Sequence, residues 1–338
     1  MDLKTICELP GISGREEPVR KAIYTECVVK LGEENVMIDR AGNVIAHKAA
    51  PNADAPRVMI AAHMDEVGLM VVSATEDGLL RVCAIGAVDP RVLVSKRVKV
   101  GYGENQLDGV IGAMAIHQQT AEDRKHVLPV SQLYVDIGAK DKAEAEAKAP
   151  MGTPIVFNTP YTEFGLNKVL VKALDDRVAC YNMLRLLDCD VQYDTWFAFT
   201  AQEEVGCRGS EAAAFRINPD IGIALEGTSA NDAGNFPECQ QVCIQGKGVA
   251  ISFMDKATIA QPEMFREMIA TAQNAGIPYQ IKMAVAGGND SGPMQRARTG
   301  ARTCVLSVPC RNIHSPSTIC DWFDVEAQYQ LVKAFLEK

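Results

Sequence analysis

Residues 195–210 read TWFAFTAQEEVGCRGS, an apolar run that gives way to two adjacent glutamates, Glu203 and Glu204, just before a glycine turn. Successive residues of a strand face opposite ways, so a merely solvated pair does not follow a buried strand so abruptly. The run predicts a buried strand, and the pair beyond its end predicts a place where both carboxylates are needed.

The same break recurs along the chain. VMIAAHMD ends on His63 and Asp65, VKALDDRVAC carries Asp175 and Asp176, IGIALE ends on Glu226, and LSVPCRNIH leads to His314. Each polar residue is expected at a strand end or in the loop that follows. In an open α/β sheet, ligands bind in the crevice outside the carboxyl ends of the strands, so these residues can converge despite their separation. Two histidines with several carboxylates suit zinc, cobalt or manganese. Taken singly, each has an ordinary reading: a structural histidine, an aspartate capping a turn, acidic residues at a helix start, a solvated turn.

Around these motifs the pattern is α/β. Ser13, Glu16 and Glu17 precede apolar positions at Val19, Ile23, Cys27 and Val28, which predicts a capped amphipathic helix ending near Gly32. RVMIAAHMDEVGLMVV reads as an apolar strand broken by polar residues. From residue 69 to 160 the character changes to short strands with closely spaced turns, interrupted by one exposed helix at DKAEAEAKA. Helices are then expected at about 177–187, after Gly209, near 261–275 and at the C-terminus, with strands between them. The fold class expected is α/β, a mixed-sheet core formed discontinuously by residues 1–68 and 161–338, with a small all-β domain inserted at 69–160.

With 34 Lys+Arg against 43 Asp+Glu, the net charge of −9 argues against nucleic acid as a partner. The N-terminal stretch lacks an apolar export signal, and no apolar run approaches membrane-spanning length, so a cytoplasmic protein without membrane attachment is expected. Eleven cysteines are scattered singly with no CxxC pair and read as small buried apolar residues.

The order PGISGRE, DRAGNVIA, AAHMDEVG, KALDDRVAC, AQEEVGCRGS, ALEGTSAND, GGNDSGPMQ and RNIHSPS resembles the M42 family of metallo-aminopeptidases, within the wider group of di-metal exopeptidases. The resemblance spans nearly the whole chain. It implies that His63 and Glu226 bind one divalent ion, that Glu204 and His314 bind a second, and that Asp175 bridges them, the ions being zinc, cobalt or manganese. Asp65 would orient His63, and Glu203 would be the general base. The GGNDSGPMQ loop would shape the substrate pocket, with Gly288 and Asp290 as its contacts. Glu226 departs from the aspartate common in relatives, and Asp176 is an alternative bridge. Peptide substrates and a large homo-oligomer, typically a dodecamer assembled through the inserted domain, are implied as well. A glycoside hydrolase using paired carboxylates is the rival reading. It has no use for His63, Asp175 or His314, and an aromatic content of 6% with two tryptophans is lean for stacking sugars.

Overall fold

The structure, a computed structural model, describes residues 1–234 and 236–338. Helices α1 (Leu3–Glu8) and α2 (Glu17–Leu31) precede strands β1 (Val36–Ile38), β2 (Val44–Lys48) and β3 (Arg57–His63). A run of short strands follows: β4 (Gly68–Ala74), β5 (Leu80–Ile85), β6 (Arg97–Val100), β7 (Leu107–Gly112) and β8 (Tyr134–Asp136), then helix α3 (Lys142–Lys148) and β9 (Pro154–Phe157). Next come β10 (Thr162–Phe164), β11 (Lys168–Val171), α4 (Leu174–Leu186), β12 (Asp194–Thr200), α5 (Arg208–Ile217) and β13 (Ile221–Ser229). The chain ends with β14 (Val249–Ser252), α6 (Pro262–Asn274), β15 (Tyr279–Ile281), α7 (Ser291–Arg296), β16 (Arg302–Cys310), β17 (Thr318–Asp321) and α8 (Trp322–Leu336).

Eight strands form one mixed sheet in the order β1-β2-β12-β3-β13-β16-β14-β15, with β12, β3, β13 and β16 parallel at its centre. Alternation along these strands fills two cores. Val44, Ala46, Ile60, Phe197, Phe199 and Leu225 face α2, α4, α6 and α8, while Ile45, Met59, Ala61, Ala198, Ala224 and Val305 face α5 and α7. The residues decisive for the site continue the second set. Thr200 pairs with His63 and Glu226 pairs with Ser307, so these polar side chains stand on the α5/α7 face, one step beyond the apolar layer. The strands thus stop being hydrophobic where their carboxyl ends leave the helical cover.

The inserted segment closes into a barrel in the order β4-β5-β8-β7-β6-β9 around Leu69, Val82, Val98, Ile111, Leu133 and Phe157. Its first and last strands pair with each other, Leu69 opposite Ile155. The apolar run read as one strand is therefore two: β3 belongs to the large sheet and β4 to the barrel, with Met64–Val67 turning between them. A further small sheet, β10-β11-β17, lay outside the sequence reading. The cap of α2 also differs: Glu16 is its N-cap, with no side-chain capping bond, and Ser13 is used elsewhere. Among the described residues no helix is long and apolar enough to cross a membrane.

Candidate metal centre

Strand ends and one helix start bring the polar residues together. Ala173 has left-handed φ 55°, and Asp175 and Asp176 have non-helical backbone before α4 becomes regular. The peptide joining the two aspartates is cis. Asp175 faces both histidines: Oδ1 lies 3.4 Å from His63 Nε2, and Oδ2 lies 3.3 Å from His314 Nε2. A glycine makes room for it, since a Cβ at Gly227 would stand 3.2 Å from Asp175 Oδ1 and 3.3 Å from its Cα. At the His63 end, Glu226 Oε2 is 3.8 Å from His63 Nε2. At the His314 end, Glu204 Oε1 is 3.6 Å from His314 Nε2.

Asp176 turns the other way. Its Oδ2 accepts the His63 backbone N–H at 3.2 Å, and it groups with His63 and Glu226. His63, Asp175 and Glu204 form a second group whose ligating atoms lie within 4.8 Å of one another. Among the described residues, Asp175 Oδ1, Asp176 Oδ1, Glu204 Oε1 and Glu226 Oε1 are buried without a hydrogen-bond partner. Buried carboxylate oxygens are costly unless paired or coordinated. This donor set of imidazole nitrogen and carboxylate oxygen fits divalent cations.

Asp65 organises the glutamate pair. Its Oδ1 accepts the Glu203 N–H at 3.0 Å, and its Oδ2 accepts the Glu204 N–H at 3.1 Å and the Ser13 hydroxyl at 2.6 Å. The same residue's backbone oxygen lies 3.0 Å from His63 Nδ1, so Asp65 fixes the ring that carries one imidazole and the turn that carries both carboxylates. From that pinned turn the two side chains diverge. Glu204 runs to His314, whereas Glu203 keeps 3.9 Å from His63 Nε2 and accepts a hydrogen bond from Cys207 Sγ at 3.2 Å. The second histidine is held differently, since His314 Nδ1 meets the backbone oxygen of Ala87, in the barrel, at 3.1 Å.

The electrostatics follow from crowding. Burial and neighbouring carboxylates raise Glu203 to about 8 and Glu204 to about 7. Burial opposes the charge on His314, but the Asp175 and Glu204 carboxylates outweigh it and hold the ring at about 9. His63 is likewise held well above the usual imidazole range, against its own burial, by Asp175 and Asp65. The carboxylates are crowded beyond what their surroundings compensate, an arrangement that a bound divalent cation would relieve.

Beside this cluster a cavity of about 570 Å³ is lined by Glu203, Glu226, Gly288, Ser307, Lys282 and His314, among others. Gly288, expected from the sequence to contact substrate, is among the residues lining this cavity. Asp290 does not contact this space: it is 0% exposed, caps the start of α7, and accepts the Thr200 hydroxyl. Its carboxylate lies within 4.8 Å of the Glu203 and Cys207 ligating atoms. Sequence reasoning also missed Ser13, Ala87 and Lys282. A serine before a helix reads as a cap, a backbone carbonyl leaves no trace in side-chain identity, and a lysine after a short strand reads as solvated.

The family model described as M42 glutamyl aminopeptidase matches residues 42–331. A lysyl aminopeptidase of Pyrococcus furiosus is 34% identical over 99% of this chain and 96% of its own. A glutamyl aminopeptidase of Lactococcus lactis is 31% identical over 94% of this chain and 90% of its own. Among solved structures, the TET1 peptidase of Pyrococcus horikoshii, which can assemble into a tetrahedron or a large octahedral shell, superposes with a TM-score of 0.86 at 30% identity, covering 99% of this chain and 98% of its own. Sequence and architecture agree, and the chain belongs to the M42 glutamyl aminopeptidase family.

Proposed function

We propose that the chain is a two-ion aminopeptidase that removes residues from the free N-terminus of short peptides. The observation that carries this reading is Asp175, which turns one carboxylate oxygen toward each histidine, at 3.4 and 3.3 Å. Asp176 lacks that double reach, which favours Asp175 as the shared ligand. His63 with Glu226, and His314 with Glu204, complete the two positions, and zinc, cobalt or manganese suits the donors. Ions held there supply Lewis acidity to a carbonyl oxygen and acidify water.

The chain's own residues do the rest. Glu203, assigned to neither ligand set, takes a proton from the attacking water and returns it to the departing amine. Asp65 fixes the backbone of that base, and the carboxylate-lined wall attracts the substrate's terminal ammonium. The inserted unit at 69–160, set into a core of 1–68 and 161–338, is assigned to assembly of a homo-oligomer such as a dodecamer. The exposed Met114, Ile116 and Val127 on it support that role. Eleven cysteines, all free, suit a reducing cytoplasm.

The test combines metal removal with substrate blocking. Chelation should abolish turnover of an aminoacyl anilide, and added zinc, cobalt or manganese should restore it. N-acetylation of a peptide should prevent its cleavage. Full activity of metal-free protein, or equal turnover of acetylated peptides, overturns the proposal.

A further inference from the structure

Most of the chain's cysteines are buried, as small apolar residues should be, but Cys207 is only partly so and lines the cavity beside the metal centre. The turn after the glutamate pair puts it there. Gly206 and Cys207 both donate their N–H groups to the Glu203 carbonyl at 2.9 Å, and Cys207 takes a left-handed φ of 52° just before α5. The chain doubles back, and the thiol donates to Glu203 Oε1 at 3.2 Å. The two oxygens of this glutamate therefore have different neighbours: Oε2 lies 3.9 Å from His63 Nε2, while Oε1 meets the thiol.

A third residue joins the group from another part of the fold. Asp290, at the start of α7, is fully buried, and its Oδ2 accepts the Thr200 hydroxyl. Its Oδ1 is buried with no hydrogen-bond partner among the described residues. A carboxylate needed only to hold the end of β12 would not leave an oxygen in that state, because burying an unpaired polar atom is costly. One ligating atom from each of Asp290, Glu203 and Cys207 lies within 4.8 Å of the other two, close enough for all three to share an ion. The donors differ from those of the centre already described. Sulfur beside two carboxylates favours zinc or cobalt over manganese, and three protein ligands leave a fourth tetrahedral position for water. Glu203 and Cys207 both line the cavity, which gives an ion its way in.

We propose that Cys207, Glu203 and Asp290 form a third cation site, selective for thiophilic ions such as zinc, and that filling it inhibits the enzyme by taking Glu203 as a ligand. The inference rests on the aminopeptidase reading and its assignment of Glu203 as the base. Coordination releases the thiol proton to solvent and leaves the sulfur bound as thiolate. A carboxylate committed to an ion no longer accepts a proton from water, so a chain that works with two ions is stopped by a third. Activity rises with zinc while the first two positions fill and falls when the third does.

The test starts from protein loaded with two ions per chain. Added zinc should lower kcat on an aminoacyl anilide by about two to four orders of magnitude as a third ion binds, the usual worth of a general base. Excess manganese on the manganese-loaded protein should leave turnover in place. Cobalt gives a readout independent of activity: its third equivalent should bring a thiolate-to-metal charge-transfer band in the near ultraviolet, which the first two, held by nitrogen and oxygen, lack. Cys207→Ser should keep two ions and most of the turnover, lose that band, and need at least about 10- to 100-fold more zinc for the same inhibition. Asp290→Asn keeps an oxygen for Thr200 and should weaken the third ion likewise. No thiolate band in wild type, or a Cys207→Ser protein as sensitive to zinc as wild type, overturns the inference and leaves the aminopeptidase reading intact. A band with turnover unchanged overturns both the inhibition and the assignment of Glu203 as base. Absence of turnover by the two-ion protein overturns the aminopeptidase reading, and the cobalt titration still decides whether the third site exists.

Discussion

The two histidines of the metal centre are braced by different parts of the molecule. His63 is 1% exposed, ends a central strand, and rests its Nδ1 on the backbone of Asp65 within the α/β core. His314 is 37% exposed, sits in a loop with φ 56°, and rests its Nδ1 on Ala87, which belongs to the barrel. One half of the centre is built into the sheet, and the other is assembled between the sheet and the insertion. A metal-binding histidine depends on what holds its second nitrogen, so the His314 half should be the more easily lost. The inserted segment then takes part in the candidate centre through the Ala87 carbonyl.

The largest effect is expected at Glu203, which the proposed function assigns to neither half as a ligand. Glu203→Gln should lower kcat/KM by about two to four orders of magnitude with metal content unchanged. An active variant, or one that loses metal, would remove Glu203 from the role of base. Next in size is Glu204→Gln, which weakens the His314 half: bound metal should fall from two ions toward one, and excess metal should recover part of the activity. Equal metal loss in both variants would erase the distinction drawn between the neighbouring glutamates.

The barrel's share can be isolated by replacing residues 69–157 with a short linker. Loss of a ligand's outer partner commonly costs about 10- to 100-fold in metal affinity, so the truncated chain should hold its second ion weakly and elute as a smaller species. Two tightly bound ions in that protein would break the comparison. Smaller still is Ser13→Ala, which removes one of the bonds on Asp65. It should reduce kcat several-fold, on the order of the 1 kcal/mol a hydrogen bond contributes, and leave metal content alone. Leu133→Ala, inside the barrel, should lower stability by about 2–5 kcal/mol in a melt while kcat/KM below the transition barely moves. A large catalytic defect there would mean that Ala87 is tied to the barrel core more tightly than the single hydrogen bond to His314 suggests.

Much of the centre was legible because chemistry interrupts burial. His63, Glu203, Glu204 and Glu226 announce themselves as polar residues where strands alternate or run apolar, and the DDR and RNIHSPS motifs supply the remainder. Local pattern misled wherever a partner was remote. Ser13 looks like a helix cap, yet its hydroxyl bonds Asp65, and Asp290, placed in a glycine-rich loop, looks like a substrate contact but is buried against Thr200. The strand spanning residues 57–74 was read as continuous because hydropathy records burial without recording which sheet does the burying.

The pairing of Leu69 with Ile155 has a consequence for how such a chain diversifies. The barrel leaves and returns through adjacent strands, so the core meets it as a closed loop. The entropy of closing a loop grows only logarithmically with its length, and a core that tolerates a few residues at this point pays little more for ninety. Whole modules can therefore be exchanged between those two residues without moving β3 or α4. Whatever replaces the barrel has one local obligation, which is to return a backbone carbonyl to the side of His314.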